Sequence, residues 1–286
     1  MEPKSVLKSV LITGSSSGIG EACALQLHAE GWRVFAGVRR QEDADRLRAK
    51  TSERLEPVIL DVTSGEQISQ AAALVRGRVG VHGLQGLVNN AGIGAGGPLE
   101  FLPIEELRRQ LEVNVIGLVA VTQAFLPLTR LGKGRIVNIG SAAGRLATPF
   151  VGPYAASKFA VEALSDALRG ELRPWRIHVV VIEPGSVATP IWEKTRNLTM
   201  RLKAAFPEEC LELYARPIRN MDAMVDLSER IGAPPDRVAR KVLSALTVRR
   251  PKTRYLVARG ARFQAFLGRY VPDRVRDWLF DRMLQR

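Results

Sequence analysis

The chain has 286 residues, of which 46% are hydrophobic and 25% charged, a composition typical of a globular protein with a large core. Its most apolar run, 115–128, is short and contains Thr122, Gln123 and Pro127, so a buried helix is expected rather than a membrane span. The beginning of the chain lacks a secretory signal pattern, and a cytoplasmic location is expected. The net charge of +13 permits attraction to nucleic acid, anionic lipid or a phosphorylated ligand, but no nucleic-acid-binding motif accompanies it.

Seven short apolar runs alternate with segments of helical period. Because the runs are continuously apolar, they indicate a parallel sheet buried on both faces. The predicted strands are 9–14, 33–38, 56–62, 84–92, 134–141, 177–185 and 253–258, and the predicted helices are 18–30, 41–50, 64–78, 103–128, 154–173 and 235–247. Without an internal linker or repeat, this order predicts a single doubly wound α/β domain over residues 1–286.

The glycine-rich stretch "TGSSSGIG", 13–20, joins the first strand to the first helix. Glycines permit a tight turn and close backbone approach, and a helix N-terminus favours a pyrophosphate. The second strand ends in Val38, Arg39 and Arg40, without the carboxylate that NAD-binding folds often carry there. Two guanidinium groups suit a 2′-phosphate, so NADP(H) is preferred and NAD(H) remains possible. The alternative is that both arginines are solvated surface charges.

Two segments depart from the strand and helix alternation. Residues 186–231 begin where a strand ends and predict a lid over an apolar ligand, with a pair of ordinary packed helices as the alternative. Residues 259–286 are basic and helical, and predict either a helix resting on a membrane surface or one packed on its own domain. The apolar side chains on which these predictions rest are Trp192, Met200, Phe206, Leu211, Leu213, Tyr214, Met221, Met224, Val275, Trp278, Leu279 and Met283.

Several motifs along the chain follow one another in a recognisable order. These are "TGSSSGIG", "NNAG" at 89–92, "LEVNVIG" around Asn114, "NIGSAAG" around Ser141, "YAASK" at 154–158 and "PGSVAT" at 184–189. In order and spacing they resemble the short-chain dehydrogenase/reductase family over about residues 8–190. The stretch "SAAGRLATPFVGPYAASK" and the tail are similar to its 17β-hydroxysteroid and retinol dehydrogenase group.

The resemblance implies a Rossmann-type sheet, a nicotinamide cofactor and a catalytic set of Asn114, Ser141, Tyr154 and Lys158. It implies that Asp61 meets the adenine, Thr189 the carboxamide, and that Asn114 holds a water in a proton relay; Asp61, Thr189 and Asn90 could instead be turn or cap residues, and Asn114 a core amide. The predicted cofactor-binding residues are Gly14, Ser16, Ser17, Gly18, Ile19, Gly20, Arg39, Arg40, Asp61, Val62, Asn90, Ala91, Gly92, Tyr154, Lys158, Pro184, Gly185, Val187 and Thr189.

Tyr154 and Lys158 are four residues apart and therefore share a helix face. A tyrosine pKa is ordinarily about 10, and a neighbouring ammonium together with an oxidised nicotinamide would bring it towards 7. Tyr154 could then exchange a proton with an alcohol or carbonyl oxygen, while Ser141 holds that oxygen in line for hydride transfer. Phe150 is expected beside Ser141 and Tyr154 at the substrate, and no metal is expected.

The function expected from these features is an NADP(H)-dependent oxidoreductase of a bulky lipophilic alcohol or carbonyl compound, of steroid or retinoid type. One alternative is an NAD-dependent dehydrogenase of small alcohols or 3-hydroxyacyl groups, and another is a dinucleotide-binding module without turnover. Surplus apolar faces on helices 103–128 and 154–173 favour a homodimer or homotetramer. Cys23 and Cys210, without a CxxC or Cys/His grouping, predict neither a disulfide framework nor a zinc site.

Overall fold

The computed structural model of the protein describes residues 7–258 and 260–285, with the side chains at positions 221, 222, 224 and 283–285 outside the description. The roles predicted for the Met221, Met224 and Met283 side chains therefore lie outside the described residues. The strands are β1 (Ser9–Ile12), β2 (Arg33–Val38), β3 (Leu55–Ile59), β4 (Gly86–Asn89), β5 (Arg135–Ile139), β6 (His178–Pro184) and β7 (Arg254–Val257).

The helices flank this sheet on both faces. They are α1 (Gly18–Ala29), α2 (Gln41–Arg48), α3 (Gly65–Val79), α4 (Ile104–Leu111), α5 (Gly117–Leu131), α6 (Gly152–Glu171), α7 (Ile191–Ala205), α8 (Glu208–Arg230), α9 (Asp236–Thr247), α10 (Ala261–Tyr270) and α11 (Asp273–Gln285). The predicted strands and helices before residue 190 are all present, with ends that differ by a few residues.

The seven strands form one sheet in the order β3-β2-β1-β4-β5-β6-β7, and every pairing is parallel. This confirms the predicted doubly wound α/β fold. The chain order reverses between β1 and β4, so a crevice opens at the carboxyl ends of these two strands. In open α/β sheets such a crevice is where ligands bind.

Two apolar clusters, one on each face, hold the sheet between its helices. One face is covered by α1, α2 and α9, with Cys23, Leu27 and Val242 fully buried; the other by α3 and α5, with Val75 and Phe125 fully buried. Continuously apolar strands are explained by this double cover, since both faces of each central strand are removed from water.

The helix predicted over 103–128 is interrupted. After α4 the chain makes a π-helical turn, Glu112–Ile116, before α5 begins. Among the described residues, only the stretch Ile104–Leu131 is long and apolar enough to cross a membrane. Its side chains Val121 and Phe125 are buried against the sheet, so it is a helix of the domain core here.

Candidate active site

The glycine-rich loop is fixed to the neighbouring strand end by side-chain hydrogen bonds. Asn90, after β4, donates its amide Nδ2 to the carbonyl oxygens of Thr13 (2.9 Å) and Gly14 (3.0 Å). Gly14 and Gly18 have φ values of +66° and +60°, which favour glycine. Gly20 is required for packing, because a Cβ there would lie 2.2 Å from the Gly14 carbonyl oxygen.

A cleft of about 600 Å³ lies at the carboxyl end of the sheet and passes along this loop. Its lining contains nearly all the residues predicted to bind the cofactor, together with Ser141 and Phe150. The predicted residues that line it are Gly14, Ser16, Ser17, Gly18, Ile19, Arg39, Asp61, Val62, Asn90, Ala91, Gly92, Tyr154, Lys158, Pro184, Gly185, Val187 and Thr189. The amino terminus of α1 therefore opens into the same space as the tyrosine.

The two arginines after β2 have different surroundings. Arg39 lines the cleft, whereas Arg40 does not. The Nε of Arg40 lies 3.3 Å from Asp43 Oδ2 and 3.8 Å from Glu42 Oε2, where α2 begins. Of the two arginines predicted at the cofactor, Arg39 is therefore the one that borders the cleft.

Ser141, Tyr154 and Lys158 come from two adjacent elements and meet in the cleft. Ser141 follows β5 and accepts a hydrogen bond from Ala143 N at 3.1 Å. Tyr154 and Lys158 lie on α6, with the lysine Nζ 5.7 Å from the centre of the tyrosine ring. Lys158 donates to the Ile139 carbonyl oxygen at 2.9 Å. This bond anchors the lysine to the end of β5, two residues before Ser141.

Burial changes the proton affinities of this pair. It raises the pKa of Tyr154 above its ordinary value, and the side-chain hydrogen bond with Ser141 lowers it only in part. Burial lowers the pKa of Lys158 to about 8, against an opposing effect of Glu162. The side chains of the site alone do not lower the Tyr154 pKa as expected, because the effect of burial is larger than the effect of the Ser141 hydrogen bond.

Asn114 is buried within the π-helical turn, and its amide is fully engaged with the protein. Its Oδ1 accepts from Ile93 N at 2.8 Å, and its Nδ2 donates to Ile93 O and to Ser157 Oγ, both at 2.9 Å. It does not line the cleft. A Cβ placed on Gly92 would lie 3.3 Å from Asn114 Oδ1 and 3.7 Å from Lys158 Nζ, so both groups lie beside Gly92.

The remaining predicted contacts combine a structural role with a place in the cleft wall. Asp61 Oδ1 accepts from Thr63 N at 2.9 Å and Thr63 Oγ1 at 2.8 Å, which is a turn at the end of β3. Thr189 packs on the glycine loop, since a Cβ on Gly18 would lie 3.0 Å from Thr189 Cβ. Gly20 does not line the cleft but lies against the Gly14 carbonyl oxygen.

The outer wall of the cleft is built by α7, α8 and the loop before α6. Phe150 has a φ of +65°, which is unfavourable for a residue with a side chain, and its ring lies edge-on to Tyr214 of α8 at 6.0 Å between centroids. Trp192 of α7 lines the cleft and donates Nε1 to Val187 O at 2.7 Å. Arg196 joins α7 to Asp226 (3.0 Å) and Glu229 (2.5 Å) of α8.

Three residues of the site were not predicted from the sequence. Ser157, inside "YAASK", accepts a hydrogen bond from Asn114 Nδ2 and donates one to Tyr154 O at 2.8 Å. Thr13, inside "TGSSSGIG", accepts from Asn90 N and Ala91 N, both at 3.0 Å. A serine or threonine within a motif was the available signal. Gln264 of α10 also lines the cleft, and nothing in the sequence distinguishes it from other tail residues.

The sequence matches the short chain dehydrogenase family over residues 8–199. It is 38% identical over 286 residues to the NADPH-dependent 3-dehydrocapnine reductase of Ornithobacterium rhinotracheale, covering 98% of both chains. It is 41% identical over 280 residues to rat retinol dehydrogenase 7, and 39% over 283 residues to human 17-beta-hydroxysteroid dehydrogenase type 6. These two matches cover 95% and 96% of this chain, and 88% of each relative.

Solved structures agree with this relationship. A short-chain dehydrogenase from Streptomyces avermitilis is 31% identical, with a TM-score of 0.77 and coverage of 98% of this chain and 97% of that one. A short chain dehydrogenase from Burkholderia cenocepacia J2315 in complex with NADP is 26% identical, with a TM-score of 0.72 and coverage of 97% and 98%. The chain therefore belongs to the short-chain dehydrogenase/reductase family of oxidoreductases, and to its hydroxysteroid and retinol dehydrogenase-like group.

Proposed function

We propose that the protein is an NADP(H)-dependent oxidoreductase that interconverts a bulky lipophilic alcohol and its ketone or aldehyde. The observation that carries the proposal is the shared cleft. One continuous space is lined by the glycine loop at the start of α1 and by Ser141, Tyr154 and Lys158. A dinucleotide needs the first feature, and proton exchange with a substrate oxygen needs the second.

A nicotinamide cofactor, when bound, supplies or accepts the hydride. The amino terminus of α1 and the loop residues Ser16 and Ser17 would hold its phosphates, and the wall formed by Pro184, Val187 and Thr189 its nicotinamide end. Tyr154 Oη gives a proton to the substrate oxygen during reduction and takes it back during oxidation. Ser141, whose side chain lowers the pKa of Tyr154, holds the same oxygen. The positive charge of Lys158 favours the phenolate once the proton has left.

Asn114 belongs to the same proposal as a residue of the proton path. It lies beside Lys158 across Gly92 and is joined through Ser157 to the Tyr154 backbone. Its amide orients groups around the lysine, and the Ile93 carbonyl oxygen beside it is a second acceptor near that point. A water bridging these groups to Lys158 would complete the relay that the family resemblance implies.

The preference for NADP(H) is supported by Arg39 in the cleft wall and by the uncharged Val38 before it. A relative along the whole chain is named an NADPH-dependent reductase, and a solved neighbour is in complex with NADP. The lipophilic substrate is supported by the outer wall, where Phe150, Trp192 and Met200 face the cleft. Two relatives are named retinol dehydrogenase 7 and 17-beta-hydroxysteroid dehydrogenase type 6, and both names refer to lipophilic substrates.

The direct test is a screen of lipophilic ketones, aldehydes and alcohols, with NADPH absorbance as the readout. Against the best substrate, Tyr154→Phe should reduce kcat about a hundredfold or more, because it removes the proton donor and leaves the ring. Tyr270→Phe is the matched control, since Tyr270 is exposed on α10. Unchanged turnover in Tyr154→Phe would reject the mechanism.

The screen also separates the two alternatives. An NAD-dependent dehydrogenase of small alcohols or 3-hydroxyacyl groups would turn over faster with NADH or NAD and favour the small substrates. A binding module would hold the dinucleotide and turn over nothing in the panel. Each of these outcomes would replace the proposed function.

We also propose that α10 rests on an anionic membrane surface. Phe263, Phe266 and Tyr270 are spaced along one face of this helix and are 54–65% exposed, with Arg262 and Arg269 beside them. Aromatic side chains rimmed by arginines suit the boundary between headgroups and acyl chains. Gln264 of the same helix lines the cleft, so this surface would lie near the entry of a lipophilic substrate.

Sedimentation with vesicles containing phosphatidylserine tests the membrane proposal. The full chain should sediment with them, and replacement of Phe263 and Phe266 by serine should reduce the bound fraction several-fold. Leu131→Ser is the control, since this exposed leucine lies at the end of α5. Equal sedimentation of the serine variant and the parent would reject it.

We propose a homodimer or homotetramer, because apolar side chains are exposed on the helical segments predicted at 103–128 and 154–173. Ile116, Phe159 and Leu164 are 53%, 43% and 38% exposed. Light scattering with size-exclusion chromatography should give a multiple of the chain's 31.4 kDa mass, and Phe159→Glu should reduce that multiple. A monomeric parent protein would contradict this.

A further inference from the structure

A buried group of charged residues lies directly behind the catalytic lysine. Glu162 is one helical turn after Lys158 on α6, and its side chain is 8% exposed. Glu183, on β6, is 1% exposed. Burying two carboxylates so close together costs free energy unless cations accompany them.

Two arginines from different elements hold these carboxylates. Arg254 of β7 lies with Nε 3.0 Å from Glu162 Oε2 and 3.4 Å from Glu183 Oε1. Arg145, after β5, lies with Nη2 2.6 Å from Glu183 Oε1 and 3.4 Å from Glu162 Oε2. Arg254 also binds Asp166 at 2.7 Å, and this carboxylate is nearer to solvent.

The second oxygen of Glu162 is oriented differently from the first. Among the described residues, Glu162 Oε1 is buried without a hydrogen-bond partner. It faces Gly140, because a Cβ there would lie 3.0 Å from it. Gly140 directly follows Ile139, whose carbonyl oxygen accepts the hydrogen bond from Lys158. The unpartnered oxygen and the lysine Nζ therefore approach the same short piece of backbone.

Four cations and three carboxylates make up this group. The cations are Lys158, Arg145, Arg254 and Arg169, which lies 2.5 Å from Asp166; the carboxylates are Glu162, Glu183 and Asp166. Tyr154 also lies near Lys158 and is neutral before it loses its proton. If Glu162 lost its charge, Lys158 would lose the carboxylate one helical turn away from it, while Arg145 and Arg254 would still share Glu183.

We propose that Glu162 is a positioning residue that keeps the Lys158 ammonium charged and directed at Tyr154, with Arg145 and Arg254 holding the carboxylate behind it. The catalytic meaning of this role rests on the proposed function, because it acts through Lys158. The Coulombic effect of Glu162 opposes the burial that lowers the pKa of Lys158 to about 8. Burial and Glu183 raise the pKa of Glu162, and the arginines counteract both.

The test follows Lys158 itself by NMR. In protein labelled with 13C at the lysine Cε, the Lys158 resonance is assigned by its loss in Lys158→Arg and then titrated. Glu162→Gln should lower the titration midpoint by about one pH unit or more, since it removes the opposing charge. Asp166→Asn is the matched control, because it also takes a carboxylate from Arg254, but two turns from Lys158; its midpoint should stay close to that of the parent.

An unchanged or higher midpoint in Glu162→Gln would overturn the proposal. Glu162→Asp retains the charge and should recover most of the shift, which a purely steric role of Glu162 would not predict. If circular dichroism shows that the glutamine variant does not fold, the aspartate variant still tests the role of the charge. The alkaline limb of the pH profile of kcat/KM should move with the midpoint. The NMR result is independent of turnover, so a failed substrate screen would reject the proposed function and leave this assignment standing.

Discussion

At the residue scale, the two adjacent arginines after β2 differ in their surroundings. Arg39 faces the cleft, and Arg40 is held by the carboxylates of α2. A guanidinium that meets a phosphate forms charge-assisted hydrogen bonds, which contribute roughly 1.5–3 kcal/mol each. The two arginines therefore provide a test in which position, and not residue type, is the variable.

Arg39→Ala should raise the KM for NADPH about tenfold to a hundredfold and leave the KM for NADH nearly unchanged, because only NADPH carries the 2′-phosphate. Arg40→Ala should change neither value by more than about twofold, since an exposed ion pair contributes little. Initial rates with both cofactors give the answer. Equal effects of the two substitutions would show that the 2′-phosphate is not read by Arg39.

Residues within one continuous motif could be predicted from the sequence. Contacts between residues that lie far apart along the chain could not. Tyr154 and Lys158 share "YAASK", and Ser141 precedes them at a recognisable spacing. Arg254, by contrast, is 92 residues from Glu162, and only the pairing of β7 with β6 brings them together. A local pattern cannot contain such a contact. The direction of the Tyr154 pKa was also beyond the sequence, since it depends on how fully the hydroxyl is buried.

At the element scale, two local backbone features shape the site. The apolar period over 103–128 predicted one helix. The π-helical turn was not predicted, because it changes that period over only five residues, Glu112–Ile116. That turn directs Asn114 towards Ile93 and Ser157. Such turns are common at functional sites. The other feature is the entry into α1, where Gly20 brings the helix against the Gly14 carbonyl.

Gly20→Ala tests this close approach. The added methyl would lie 2.2 Å from Gly14 O and 2.5 Å from Asn90 Nδ2, so the loop or the helix must move. We expect a loss of about 1–3 kcal/mol in the free energy of unfolding and weaker NADPH binding, measured by thermal unfolding and fluorescence titration.

Gly65→Ala is the control for that substitution. Gly65 begins α3, and nothing lies within 4 Å of the position its Cβ would take. Alanine is the better helix former, so stability should be unchanged or raised by about 1 kcal/mol or less. Similar losses in both variants would show that the close packing at Gly20 does not determine the entry into α1.

At the scale of the whole molecule, the sheet and the outer wall differ in how firmly they are held. The sheet lies between two large apolar clusters, whereas α7 is held against the loop after β4 by a cluster whose buried members are Ala95, Leu198 and Leu202. The sequence predicted that residues 186–231 break the strand and helix alternation, but a difference in packing could not be predicted from it. Elements with few buried apolar contacts open at lower free energy than the core.

The reactivity of the two cysteines measures the opening of the core and of the outer wall separately. Cys23 lies on α1 in the main core, where burial raises its pKa to about 12, and Cys210 lies on α8, where burial and Glu100 raise its pKa. Both are buried and free. Because the thiolate is the reactive form, neither should react rapidly with an aromatic disulfide reagent in the native protein.

In dilute urea below the unfolding transition, Cys210 should react at least about tenfold faster than Cys23, because local opening of α8 requires less free energy than exposure of the core. Absorbance of the released thiolate gives the rates, and Cys23→Ser and Cys210→Ser assign the two phases. The fast phase should vanish only in Cys210→Ser. If Cys23 reacted first or both reacted together, α7 and α8 would be as firmly held as the sheet, and they could not open as a lid without the core.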